Sequence, residues 1–227
     1  MQVLDKLAQG SPEWLAARLG KVTASRAKDA RDRLKPAKGE AVGRPSAKML
    51  NYAWQVALER ISGQPVDQVY ETWQMKEGSK QEQLARAQYE AASGNLVDEV
   101  GAIVTDCNTC LYSPDGLVGN DGLVEIKTLF SPERIGRIVG DGDLSDFIDQ
   151  CQFGLWVSGR QWIDLILWVP SLATIDRAMT LHHIQRDEAQ LSSMAGDIEL
   201  FKGLVVEFED RLRHSSATEA HPELLAA

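Results

Sequence analysis

Asp115, Glu125 and Lys127 are the residues of this chain whose types and spacing could do chemistry. They lie in Ser113-Pro114-Asp115-Gly116 and, after a Gly-rich turn, in Leu123-Val124-Glu125-Ile126-Lys127. Side chains alternate across a strand, so Glu125 and Lys127 share one face and Val124 and Ile126 share the other. Two carboxylates brought together repel unless a cation holds them. Mg²⁺ takes oxygen ligands: one or two carboxylates, waters and substrate phosphate oxygens. A lysine beside such a site can touch both the scissile phosphate and the attacking water, and the metal lowers that water's pKa. Asp, Glu and Lys so arranged suit phosphodiester hydrolysis. The plain alternative is a β-hairpin whose polar edge carries three charges.

The elements that must position these groups follow from pattern. Ser11 reads as an N-cap and Pro12 as the first turn of a short helix ending at Gly20. A turn at Val22–Ser25 leads into a second short helix, and residues 35–45 read as a loop. Apolar spacing after Ser46 predicts a helix ending at Gly63. Residues 64–76 are irregular. A helix from Ser79 to about Gly94 opens with a capping box, Ser79 to Glu82. Strands are predicted over Leu96–Asp106 and Gly122–Phe130, a helix around Phe147–Trp156, strands at Trp162–Pro170 and Ala178–Arg186, and a closing helix from Asp187 to about His214. The tail 215–227 is weakly ordered. These elements make an α/β (α+β) fold, a central mixed β-sheet flanked by helices. The chain reads as a single domain of 227 residues: a helical, basic segment 1–76, a core 77–185, a helix 187–214 and the tail.

Composition bounds the rest. A hydrophobic content of 44% with 25% charged residues is ordinary for a globular protein. There is no apolar run of bilayer length and no basic, apolar leader, which points to a cytoplasmic protein without membrane association. The three cysteines do not make a disulfide framework, and the Cys107-x-x-Cys110 pair lacks the four ligands of a zinc or iron–sulfur site. The net charge of −9 is unevenly spread: residues 18–48 carry +7, leaving −16 elsewhere. That segment is either a phosphate-facing stripe or a solvated loop.

Four stretches together resemble the phage lambda exonuclease family, the YqaJ-like viral recombinases of the PD-(D/E)xK nuclease superfamily. They are Trp14…Arg18-Leu19-Gly20-Lys21-Val22-Thr23-Ala24-Ser25, Gly78…Glu82, Ser113 to Lys127, and Gln150-Cys151-Gln152-Phe153…Trp156. They occur in the family's order between about residues 8 and 160. The resemblance implies a restriction-endonuclease-like core and a metal-dependent 5′→3′ exonuclease on double-stranded DNA. Such an enzyme releases 5′-mononucleotides and leaves a 3′ single strand for an annealing recombinase. The resemblance also implies one or two Mg²⁺ ions (with Mn²⁺ as a substitute), a homotrimer around DNA ends, and a phage or prophage origin within a bacterial host cell.

Residue by residue, Asp115, Glu125 and the Ile126 carbonyl match metal ligands, and Lys127 matches the catalytic lysine. Glu82 matches a helix carboxylate at the second metal or its water, a role that competes with its capping box. Gln150 matches a glutamine near the site, against a plain buried helix polar group. Arg18, Ser25 and Ser113 match the pocket for the terminal 5′-phosphate; their plain readings are a helix-end arginine, an N-cap and a turn serine. Met75 falls where an apolar wedge splits the terminal base pair, although Met is also a common gap-filler. Glu77, before Gly78, departs from the aromatic residue of a known member. Two other readings are a PD-(D/E)xK endonuclease and a catalytically silent DNA-binding module.

Overall fold

A computed structural model describes residues 1–5, 7–66 and 73–214. Within the helix that starts at Trp73, the side chains of residues 74–76 and 79 lie outside the description, and with them the Met75 side chain; the tail 215–227 lies outside it too. In chain order the elements are β1 (Gln2–Leu4), α1 (Pro12–Arg18), β2 (Val22–Thr23), α2 (Ala27–Ala30), α3 (Ala47–Ser62), α4 (Trp73–Ser93), β3 (Ala102–Val104), β4 (Cys110–Tyr112), β5 (Gly116–Val118) and β6 (Gly122–Thr128), then α5 (Pro132–Ile135), α6 (Ile148–Ser158), β7 (Trp162–Trp168), β8 (Met179–Gln185) and α7 (Glu188–His214).

The strands form two four-stranded mixed sheets, ordered β1-β3-β4-β2 and β5-β6-β7-β8, where pattern alone suggested a single sheet. The break falls at Ser113-Pro114-Asp115, between β4 and β5. Proline has no N–H to donate to a ladder, so the sheet cannot run through it. The Asp115 backbone N–H then rejoins the second sheet by donating to the Val124 carbonyl, at 3.1 Å. β6 and β7 are parallel, with Glu125 opposite Leu165 and Lys127 opposite Leu167. Their connection crosses through α5, a π turn over 136–140, and α6, as a parallel pair requires.

The two faces of β6 are both covered. Val124 and Ile126 pack with Ala85, Tyr89, Ile166 and Trp168 beneath α4. Leu123, Leu165 and Leu167 join the main core with residues of α3, α6 and α7. This explains a strand with polar residues that is nonetheless buried through Ile126. Glu125 and Lys127 are therefore on an interior face, and each needs a partner.

Local expectations held where caps set the boundaries. The Ser11 hydroxyl accepts from Trp14 N, and the Ser46 hydroxyl from Met49 N. The capping box did not hold. α4 begins at Trp73, so Ser79 is inside the helix and Glu82 is free of any cap role. The strand predicted over Leu96–Asp106 is only Ala102–Val104, with an isolated bridge from Asp98 to Leu117.

Candidate active site

Asp115 is delivered by the sheet break, and Glu125 and Lys127 by β6. The Asp115 carboxylate accepts from the Ile126 backbone N–H at 2.6 Å, which ties the turn to the strand. Glu125 is 2% exposed, and both its oxygens are held. The Tyr112 hydroxyl donates to Oε2 at 2.7 Å; the Gln150 amide and the Lys127 ammonium, the latter at 2.7 Å, reach Oε1. β4, β6 and the first turn of α6 thus meet at one carboxylate. Asp115, Glu125, Lys127 and Gln150 are brought together as their spacing and the resemblance suggested.

The electrostatics follow from that crowding. Burial, and after it the charges of Glu125 and Glu82, hold the Asp115 carboxyl well above its ordinary range. Burial acts to lower Lys127, but Glu125 and Asp115 outweigh it, and the ammonium ends above its ordinary value. Burial is also the first cause that raises Glu82; Arg86 opposes it, and Glu99 and Glu125 add to it. Arg86 donates to Glu82 at 2.9 Å and pairs with Glu99, which places Glu82 on the α4 wall of the site.

Among the described residues no three His, Cys, Asp or Glu side chains converge on a single metal position. The donor set still fits a hard divalent cation in type and charge. Asp115 and Glu125 offer carboxylate oxygens, Ile126 a backbone carbonyl, and Glu82 a third carboxylate close enough to act on Asp115. Burial, and then an excess of negative charge, favours the protonated form of Asp115. A divalent cation is the charge that removes that excess.

A second feature lies beside this one. Arg18, Lys21, Thr23, Ser25, Arg26, Tyr52, Gln55 and Glu59 line a cavity of about 690 Å³ between α1 and α3. The Arg18 guanidinium lies 4.2 Å from the Trp14 ring centroid, and the Trp14 indole N–H donates to the Ser113 hydroxyl at 2.9 Å. Trp14 therefore links Arg18 to Ser113, two residues before Asp115. Ser25 is exposed, with its hydroxyl 3.4 Å from that of Thr23. Among the described residues the Arg18 side chain makes no hydrogen bond or ion pair with a protein group. Burial lowers its pKa from the ordinary value. Glu59, the acidic residue in the lining, is already engaged by the Gly20 backbone N–H at 3.1 Å and the Gln55 amide at 2.9 Å. Gly20 permits this closeness: its φ is +66°, and a Cβ there would stand 2.5 Å from the Arg60 side chain.

Residues 34–42 of the basic segment are exposed, but two of its arginines depart from both sequence readings. Arg31 binds Asp149 at 2.5 Å and Asp197 at 3.1 Å, and Arg33 binds Asp197 at 2.8 Å. Arg26 pairs with Asp29, and Arg44 with Glu40. Arg31 and Arg33 are internal clamps onto α6 and α7, neither a phosphate stripe nor a solvated loop. Sequence reasoning gave no role to Tyr112 or Trp14. Trp14 stood within a quoted block, but its indole partner is 99 residues away.

A family model for the YqaJ-like viral recombinase domain matches residues 13–161, a span that holds Arg18, Glu82, Asp115, Glu125, Lys127 and Gln150. Among solved structures, the alkaline exonuclease LHK-Exo from Laribacter hongkongensis is 32% identical, with a TM-score of 0.75 over 90% of this chain and 98% of that one. Its complex with dAMP gives 31% identity, a TM-score of 0.75 and the same coverage. A phage-related exonuclease from Haemophilus somnus 129PT shares the fold at 15% identity, with a TM-score of 0.62 over 86% of this chain and 96% of that one. No significant match to a curated protein was found. With the match covering the break that delivers Asp115, the strand that bears Glu125 and Lys127, and the helix that bears Gln150, the chain belongs to the family of YqaJ-like viral recombinase domains.

Proposed function

We propose that this protein is a metal-dependent 5′→3′ exonuclease on double-stranded DNA, releasing 5′-mononucleotides and leaving a 3′ single strand for an annealing recombinase. The family and the alkaline exonuclease LHK-Exo support a nuclease. The observation that carries the finer reading is the link from the Arg18 cavity through Trp14 and Ser113 to Asp115. An end-binding pocket joined to a hydrolytic site suits an exonuclease, whereas an endonuclease needs no such pocket.

Asp115, Glu125 and the Ile126 carbonyl would hold Mg²⁺, with Glu82 near a second ion or its water. When bound, the metal supplies Lewis-acid polarisation of the scissile phosphate and acidifies the attacking water. The Lys127 ammonium would orient that water and offset charge on the phosphate. Gln150 and Tyr112 hold the Glu125 carboxylate in one orientation. Arg18 offers a planar fork to a terminal 5′-phosphate, with Ser25 and Ser113 as hydroxyl donors. The strand-separating role of Met75, the homotrimer around a DNA end and the annealing partner belong to the same proposal and rest on the resemblance. So do the single-domain organisation and action in the cytoplasm of a bacterial host.

The test compares linear duplexes ending in a 5′-phosphate or a 5′-hydroxyl with closed-circular DNA, in Mg²⁺. The expected result is release of nucleotides from linear DNA only, faster from the phosphorylated end, with Arg18→Ala erasing most of that preference. Opening of the circle would favour an endonuclease. Equal rates on both ends would leave Arg18 as a helix-end arginine.

A further inference from the structure

Cys107 and Cys110 belong neither to the carboxylate site nor to the Arg18 cavity. They sit at the tip of the β3–β4 hairpin. Thr105 N donates to the Cys110 carbonyl at 3.1 Å, and Asn108 N to the Thr105 carbonyl at 2.8 Å. Asn108 takes φ +55°, a left-handed conformation that Asn accepts more readily than most residues. This turn folds both thiols around one hydroxyl. Thr109 Oγ1 lies 3.0 Å from Cys107 Sγ and 3.8 Å from Cys110 Sγ, and Thr105 Oγ1 lies 3.4 Å from Cys107 Sγ.

The two thiols are unequal. Cys107 is exposed, and Cys110 is 1% exposed in the main core. Hydrogen bonds with Thr105 and then Thr109 lower Cys107, with a smaller contribution from the Lys202 ammonium. Burial pushes Cys110 up to about 11. A metal centre does not account for the pair: two sulfurs fall short of four ligands, and Cys151 answers instead to Glu125, Lys127 and Asp115. An accessible, activated thiol beside a buried second one is the arrangement of a redox-reactive pair.

We propose that Cys107 and Cys110 form a redox modification site whose reactant is a small disulfide of the glutathione type, and that the pair closes into an intramolecular disulfide. The Cys107 thiolate attacks one sulfur of the reactant; a protein–glutathione bond forms, the glutathione S–S bond breaks, and one glutathione thiolate leaves. Cys110 then attacks the Cys107 sulfur. The Cys107–Cys110 bond forms, the mixed disulfide breaks, and the Cys110 proton passes to the second departing glutathione thiolate. Two protein thiols are oxidised and one glutathione disulfide is reduced to two thiols.

The readout is covalent and independent of nuclease activity, so it stands apart from the exonuclease proposal. Native protein is incubated with oxidised glutathione, denatured, alkylated and weighed intact, with the peptides mapped. The expected product is two hydrogens lighter than the starting protein, carries alkyl label on Cys151 alone, and recovers three labelled thiols after dithiothreitol. Cys107→Ser is expected to keep Cys110 alkylatable with no glutathione attached, and Cys110→Ala to stop with one glutathione on Cys107. Wild-type protein decides the matter without either variant. A stable single-glutathione adduct with Cys110 still alkylatable, a Cys107-linked dimer, or three unreacted thiols would each overturn the proposal.

Discussion

Burial, and then the charges of Glu125 and Glu82, oppose the ionisation of Asp115. Its folded-state pKa lies above that of the unfolded chain, so the folded protein binds the extra proton. Stability from this group is present at low pH and is lost as pH rises through the raised value. Metal-free protein is therefore expected to lose melting temperature as pH increases across that range. Asp115→Asn keeps an acceptor for the Ile126 N–H and removes the ionisation; it should flatten the profile and raise the metal-free Tm by about 2–4 °C, while abolishing cleavage. Thermal melts in EDTA across pH check this, and a steeper profile in the variant would count against it. Protonation of this carboxyl would compete with a cation, so apparent Mg²⁺ affinity should rise with pH, measurable by calorimetry. Glu82 is not a cap, so Glu82→Gln should lower turnover with little change in melting. A cost of about 1 kcal/mol without loss of activity would restore the capping role.

At the scale of elements, α6 and β4 meet through a glycine. A Cβ at Gly154 would stand 2.7 Å from the Tyr112 ring, whose hydroxyl holds Glu125. Gly→Ala inside a helix ordinarily gains about 1 kcal/mol. Overpacking here costs about 1–3 kcal/mol and displaces Tyr112, so the sign should reverse. Gly154→Ala should melt earlier and cleave more slowly; an unchanged rate in denaturation-matched assays would show that Tyr112 does not govern Glu125. This scale also explains what could be read from sequence. Asp115, Glu125 and Lys127 were legible because a turn and one strand bring them together locally. Tyr112 was not, since its role depends on β4 crossing to β6 and on α6 lying close enough to press it there. The capping box misled because Ser79-x-x-Glu82 is a valid local pattern inside a helix that starts earlier, across a tolerated Gly78. Gln150 was legible through the resemblance, because nothing local to α6 announces its reach to Glu125.

On the scale of the whole molecule, the N-terminal segment is held by the far end of the chain. Arg31 and Arg33 were legible as charge but not as clamps, because Asp149 and Asp197 come from α6 and α7, more than 100 residues on. Both arginines are mostly buried, so Arg31→Ala leaves Asp149 without its partner, while Asp197 keeps Arg33, and should cost about 3 kcal/mol in urea unfolding. The salt slope of DNA affinity should be unaltered, since no phosphate contact is lost; a slope shallower by about one would return Arg31 to the DNA surface. α3, which supplies Tyr52, Gln55 and Glu59 to the cavity, is likewise backed by α7: Trp54 stacks on Phe208 at 4.0 Å, Tyr52 packs on Phe201, and Arg60 binds Glu209. During synthesis α7 leaves the ribosome only after Asp115, Glu125, Lys127 and Gln150 have emerged. Until then α3 lacks the α7 side chains that pack on Tyr52 and Trp54, and Asp197 is missing from the Arg31 clamp. A half-made chain thus lacks contacts that complete its fold, and α7 is the last element to supply them.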